Sequence, residues 1–399
     1  MTQPYQASEL GAPLDERFRI VRKLASGGMG DVFLAYQLGP VAFNRLVVLK
    51  SLHPDLLGNG DFVAMFLNEA QIIANLTHPN IIHVYELLQD TTGYMLAMEY
   101  VRGGTVLDLL RIHRKLGLGG LPMGPALRIA TSVCDALHYA YFERDADGQP
   151  RHVIHRDVSL SNILVGYDGH TKLVDFGIAK ALASEPLTKA TTIKGKSGYL
   201  APEQITMQPL DHRCDIFALG IVVWEMTVGD RLFRRDNDLQ TMHAILHDPI
   251  ELPSARVPDY PRDLEAVVMR ALARDRDDRY DDADQFGQAL REVAHRHGWD
   301  LGADALGAVV RATLPEDESL EQDRRAALES SSYPTPSRSR TPSIPATSPT
   351  RAGRLAAGAV SAVSVAGAAA APAAPTNWRL VAAMVLASAL FWLFVVPAL

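Results

Sequence analysis

Hydrophobic and polar positions change their period part-way along the chain. From about Phe18 to Val101 the apolar residues come in short, β-branched runs: Phe18 to Leu24, Asp31 to Ala35, Leu46 to Leu49 and Tyr94 to Tyr100. One helical pattern interrupts them, carried by Phe62, Met65, Phe66, Ala70 and Ile73. This predicts a strand-rich lobe with a single helix. From Val106 to about His297 the spacing becomes helical, with Ile129, Val133, Leu137 and Tyr141 four apart and Leu264, Val267, Ala271 and Leu272 on one stripe. The second lobe is therefore mainly helix. Ile216 to Met226 is apolar nearly all round, the pattern of a helix enclosed by its own lobe rather than lying on its surface.

Beyond this region the periodicity stops. After Glu316 the chain is briefly acidic, and from Ser330 to Thr350 it is Ser, Thr, Pro and Arg, a composition with too little apolar surface to fold. Leu355 to Pro375 is Ala, Gly, Val and Ser and reads as low-complexity spacer. Leu380 to Leu399 is uncharged and rich in Leu, Val, Phe and Trp, with no polar face. At about 1.5 Å per residue such a segment covers a hydrocarbon core of about 30 Å. It is expected to be a transmembrane helix. No acidic residue follows Glu329, whereas Arg338, Arg340, Arg351, Arg354 and Arg379 remain, so the flank entering the bilayer is basic and belongs on the cytoplasmic side. The expected division is an N-terminal extension (1–17), a two-lobed domain (18–297), a helical and acidic connector (298–329), a disordered linker (330–379) and a membrane span (380–399).

Composition narrows the class. The 399 residues are 47% apolar and 21% charged, as in a globular protein, with room for a sizeable core. A formal net charge of −7 speaks against coating nucleic acid, which needs a basic stripe, and no nucleic-acid partner is expected. The two cysteines, Cys134 and Cys214, have no partner at metal-ligand spacing and read as small core groups of a protein in a reducing compartment. The first seventeen residues hold Glu9, Asp15 and Glu16 and no apolar run, unlike a secretory signal.

The candidate chemistry begins with Leu24-Ala25-Ser26-Gly27-Gly28-Met29-Gly30-Asp31-Val32, between two predicted strands. Glycines let a backbone bring its N–H groups against phosphate oxygens, which a Cβ would obstruct. Lys50 ends the next strand and Glu69 lies on the following helical pattern, so an ion pair between them would aim the ammonium at the α- and β-phosphates of a nucleotide. Then come His155-Arg156-Asp157-Val158-Ser159-Leu160-Ser161-Asn162, Asp175-Phe176-Gly177 and Ala201-Pro202-Glu203. Transfer of a γ-phosphoryl group requires a carboxylate to take the attacking hydroxyl's proton and oxygen ligands for Mg²⁺, roles open to Asp157, Asn162 and Asp175.

In this order the motifs resemble the protein kinase family, specifically bacterial Hanks-type (eukaryotic-like) serine/threonine kinases, over about Phe18 to His297. The resemblance implies an α+β, two-lobed fold with a β-rich N-lobe and a mainly helical C-lobe. It implies Lys50 and Glu69 as the strand–helix ion pair, Asp157 as catalytic base and Asn162 and Asp175 as ligands of Mg²⁺, or of Mn²⁺ in its place. It further implies Met98 as gatekeeper, Glu99 to Val101 as the hinge that reads adenine of ATP, Glu203 and Arg279 as a structural salt bridge, and Asp215 as the anchor of the catalytic loop. The sequence departs from the family at Ala25, where the first loop glycine is expected, at Ser159, where a lysine is, and at Lys196, where a threonine precedes the Ala-Pro-Glu motif. A Glu143 to Arg151 insertion lengthens the approach to the catalytic loop.

The expected function is a membrane-tethered protein kinase transferring the ATP γ-phosphate to Ser/Thr hydroxyls of protein substrates, itself included, on the cytoplasmic face of the cell inner membrane. Its partners would be ATP, those substrates and, through the C-terminal helix, membrane lipid; trans-autophosphorylation would add self-association. Lys196 is a candidate to restore the charge missing at Ser159. Thr188, Thr191 and Thr192 are candidate phosphosites that would pair with Arg156. Ser337, Ser339, Thr341 and Ser343 in the linker could carry phosphate as well. Two alternatives stay open: a nucleotide-binding pseudokinase scaffold, and a tyrosine-directed kinase, since Ser159 and Lys196 remove two serine/threonine hallmarks.

Overall fold

The computed structural model describes residues 17–27, 29–39, 44–90, 93–144, 148–177 and 197–315. The expected span at Leu380 to Leu399, the linker, Gly28, Lys196 and the three activation-segment threonines lie outside them. Among the described residues no helix is long and apolar enough to cross a membrane.

The N-terminal lobe is an antiparallel sheet of β1 (Phe18–Ser26), β2 (Gly30–Gln37), β3 (Arg45–Leu52), β4 (Val84–Asp90) and β5 (Gly93–Glu99) in the order β1-β2-β3-β5-β4. Helix α1 (Gly60–Ala74), capped by the Asn59 side chain on the Asp61 N–H at 3.0 Å, packs on one face. Strand alternation decides what faces it. Val47 and Leu49 join Phe18, Phe33, Ala35, Met95 and Ala97 in a small cluster on one side. Val48, Lys50 and Leu52 point to the other side, toward α1. Thus the apparently uniform run Leu46 to Leu49 delivers Lys50 to the helix face.

A short sheet of β6 (Gly103–Thr105), β7 (Ile163–Gly166) and β8 (Thr171–Leu173) starts the second lobe. Its helices are α2 (Val106–Lys115), α3 (Met123–Phe142), α4 (Pro202–Ile205), α5 (Arg213–Val228), α6 (Asp238–His247), α7 (Arg262–Ala271), α8 (Ala283–His297) and α9 (Ala303–Thr313). Helix α5 is buried from Cys214 to Thr227, as its all-round apolar sequence requires, and ends at Gly229 with φ 84°. Leu264, Ala271 and Leu272 of the expected α7 stripe are buried, while Val267 is only half-buried and Val268 takes its place in the core. Cys134 and Cys214 are buried free thiols. Helix α9 packs on α2, α3 and β7 and buries Leu306 and Val310.

Candidate active site: a cleft between sheet and helices

On α1 the buried stripe is Met65, Phe66, Glu69, Ala70 and Ile73, so a carboxylate occupies a position whose neighbours are all apolar. That placement is costly unless the charge is paired. The partner is Lys50, whose Nζ donates to Glu69 Oε1 at 2.9 Å and also to Asp175 Oδ1 at 2.9 Å. Burial disfavours the ammonium, but Asp175 and Glu69 outweigh it and hold the Lys50 pKa above the ordinary lysine range. Lys50 is therefore a fixed cation bridging the first lobe and the Asp-Phe-Gly segment.

Asp175 has φ 56° and Arg156 φ 63°, left-handed backbone that non-glycine residues seldom adopt. Surrounding contacts hold both turns. Phe176, 1% exposed, packs on the His155 ring at 4.5 Å between centroids. The His155 ring is 3.1 Å from the Val174 carbonyl, and Gly177 N–H donates to the His155 carbonyl at 2.8 Å. A Cβ on Gly177 would come within 2.9 Å of Asp157 Cβ, so the glycine allows the two segments to touch. From α5, Asp215 accepts the N–H groups of His155 and Arg156 at 2.7 Å each. Burial pushes its carboxyl up to about 7 against those two donors. Asn162 Nδ2 donates to both Asp157 Oδ2 and the Asp157 carbonyl at 2.8 Å, which orients the carboxylate. Asp157 and Asn162 on one loop and Asp175 on the next segment are thus brought together.

The glycine-rich hairpin is braced from outside the cleft. Asp31 Oδ1 accepts from Ser26 Oγ at 2.6 Å and pairs with Lys23 at 2.7 Å, while His53 Nε2 lies 3.0 Å from the Gly27 carbonyl. Gly30 has a structural reason of its own, since a Cβ there would fall 1.6 Å from the Ser51 carbonyl of β3. By contrast, a Cβ on Gly27 would meet only the Gly30 carbonyl, at 3.7 Å. The Glu99 carboxylate, at the end of β5, accepts from Lys172 Nζ at 2.6 Å and from the His83 N–H at 2.7 Å. Met98, 9% exposed, closes the inner end of β5.

Glu203 and Arg279 form a bidentate pair at 2.7 and 2.8 Å, with Arg279 1% exposed. Ser159 is buried, with its Oγ 3.1 Å from Ser161 Oγ. The triad of Tyr199, Glu225 and Arg231 is absent from the sequence-level candidates: Tyr199 Oη donates to Glu225 Oε2 at 2.8 Å, and Arg231 Nη1 reaches the same oxygen at 2.9 Å. Its sequence signal is a lone Glu inside the apolar run of α5, which needs a cation to be buried.

The family model for the protein kinase domain matches residues 18–291. The chain belongs to the protein kinase family. This protein kinase domain is 40% identical over 310 residues to the tyrosine-protein kinase MasK of Myxococcus xanthus, covering 77% of this chain and 48% of MasK. It is 31% identical over 313 residues to the serine/threonine-protein kinase PrkC of Bacillus subtilis, covering 78% of this chain and 44% of PrkC. The chain spans about half the length of these curated relatives. Among solved structures, the Mycobacterium tuberculosis PknI kinase domain matches with a TM-score of 0.52 and 28% identity, covering 69% of this chain and 96% of that one. The relatives place it with the bacterial Hanks-type kinases, and the β-sheet N-lobe with a helical C-lobe is the protein kinase fold.

Proposed function

We propose that the chain is an active, ATP-dependent protein kinase that phosphorylates Ser/Thr hydroxyls of proteins, including its own. The observation that carries this is Lys50, held at 2.9 Å from both Glu69 and Asp175, because it joins the phosphate-facing strand to the metal-binding segment. In this reading Lys50 orients the α- and β-phosphates and Glu99 to Val101 present backbone groups to adenine. Asp157, aimed by Asn162, orients the acceptor hydroxyl and takes its proton as the hydroxyl attacks the γ-phosphorus. The Asp175 carboxylate and the Asn162 amide oxygen are hard oxygen donors of the kind Mg²⁺ prefers, and the Asn162 Nδ2 holds the amide in place by donating to Asp157. When bound there, the ion would neutralise the triphosphate. Asp157→Asn and Lys50→Met, assayed for autophosphorylation against wild type, test the proposal; either variant at wild-type activity would sink the role given to that residue.

Tyrosine specificity is a second reading, favoured by the name of MasK and by Ser159 in place of the catalytic-loop lysine. Phosphoamino-acid analysis of the autophosphorylated chain separates the two. Lys196 supplying the missing charge, and phosphate on Thr191 or Thr192 pairing with Arg156, remain part of the proposal. Among the described residues Arg156 Nε is buried without a hydrogen-bond partner, which supports the second of these. The membrane tether at Leu380 to Leu399 is likewise proposed, on its uncharged sequence and its basic flank.

A further inference from the structure

On the second lobe, away from the Lys50, Asp157 and Asp175 cluster, lies a cavity of about 680 Å³ that no part of the proposed chemistry uses. Arg114, from the last turn of α2, lines it together with Arg231, Arg234 and Arg235 between α5 and α6, and Arg256 ahead of α7. Three acidic residues, Asp230, Asp248 and Glu251, share its walls, so guanidinium groups outnumber carboxylates five to three. The pairing inside is uneven. Arg114 and Arg256 converge on the single carboxylate of Asp230, at 3.2 and 3.7 Å, and Arg256 also reaches Glu251 at 2.8 Å. Arg235 takes Asp248 at 3.1 Å. The Arg234 side chain has no partner among the described residues. The surplus positive charge is therefore carried by the exposed Arg234, while Arg114 and Arg256, about half exposed, keep donors open to solvent beside their carboxylates.

The floor of the cavity leads back to the centre of the lobe. Arg231, only 20% exposed, binds Glu225 and the Tyr199 hydroxyl, and Tyr199 lies two residues before the Ala-Pro-Glu motif. Behind it, Trp224 Nε1 donates to the Glu251 carbonyl at 2.8 Å and secures the wall to α5. The space is larger than one phosphate or carboxylate requires and has the size of a ligand pocket. Its arginine forks match carboxylates bidentately, where lysines would act only as point charges.

We propose that this cavity is a docking site for an acidic polypeptide segment of the kinase's protein substrates. The word substrate rests on the phosphotransfer reading; the binding itself does not, and it is measured without ATP. The test is fluorescence anisotropy of a labelled octaglutamate peptide with the full chain, beside an octalysine peptide, in wild type and in Arg234→Glu/Arg256→Glu. A second double variant, Arg111→Glu/Arg296→Glu, changes net charge equally at exposed sites that do not line the cavity. Octaglutamate should bind wild type more weakly as salt is raised, and octalysine should not bind. The cavity variant should lose about tenfold in affinity and the control variant should keep it. Equal loss in both double variants would reduce the effect to net charge, and no loss in the cavity variant would place the peptide elsewhere. Either result overturns the proposal.

Discussion

Two buried ion pairs, one in each lobe, use similar chemistry for opposite ends. Arg279 and Glu203 in the helical lobe have side chains 0% and 4% exposed. The remaining Arg279 donors are spent on the carbonyls of Ala273, Arg213 and Arg274, and its guanidinium lies 4.9 Å from the Phe217 ring. Nothing in that arrangement can move without leaving a buried charge unmatched. Lys50 instead shares itself between Glu69 and an Asp175 carboxylate that is 46% exposed. One of its partners thus faces solvent. Exposure of one partner, more than the identity of the charges, separates the Lys50 cluster from the fully enclosed Arg279 pair.

The comparison breaks most visibly at the cleft. Asp157→Asn should lower autophosphorylation by about 10²-fold or more with its thermal midpoint near wild type, and Lys50→Met should abolish it at a smaller cost in stability than Arg279→Ala, because burial already raises the Glu69 carboxyl and lets it take up a proton. The opposite signature belongs to Arg279→Ala. It should destabilise the chain by about 3–5 kcal/mol in denaturant unfolding, because Glu203 is left charged and buried. If Lys50→Met cost as much stability as Arg279→Ala, the distinction between the two pairs would fail.

A finer test is Asp215, a buried carboxylate without a cation as its first partner. Its carboxyl is raised from 3.8 to about 7, so the folded state binds the proton more tightly than the unfolded one. Relative to Asp215→Asn, wild-type stability should fall as pH rises from about 4 to about 7 and then level off. A stability difference that stays flat across that window would mean that the two backbone donors offset the burial entirely. The smallest effect is expected at the hairpin. Ala25→Gly should lower KM for ATP a few-fold with kcat little changed, by removing one methyl near the nucleotide.

Much of the site was legible in the chain because its parts are local. Glu69 could be placed on the helix face next to Lys50 because period 2 ends in a lysine and period 3.6 carries a glutamate. Asp215, Glu203 and Arg279 could be assigned partners only through the resemblance, and the structure places those partners within 2.7 to 2.8 Å. Other features had no local signal. Gly30 reads as a phosphate-loop glycine, yet the Ser51 carbonyl already excludes a side chain there. Tyr199, Glu225 and Arg231 meet because α5 is enclosed, and the arginines of the C-lobe cavity come from three separate stretches of chain.

What the sequence alone determined is therefore the rhythm of the two lobes, the burial of α5 and the residue types able to carry phosphotransfer. Each of these follows from side chains within a few positions of one another, where backbone geometry sets which of them share a face. The tertiary structure alone decided that Lys50 divides itself between Glu69 and Asp175, that α9 packs on α2, α3 and β7, and that five arginines share one cavity. Such pairings depend on which faces pack together across many residues of chain, and no local period records that choice.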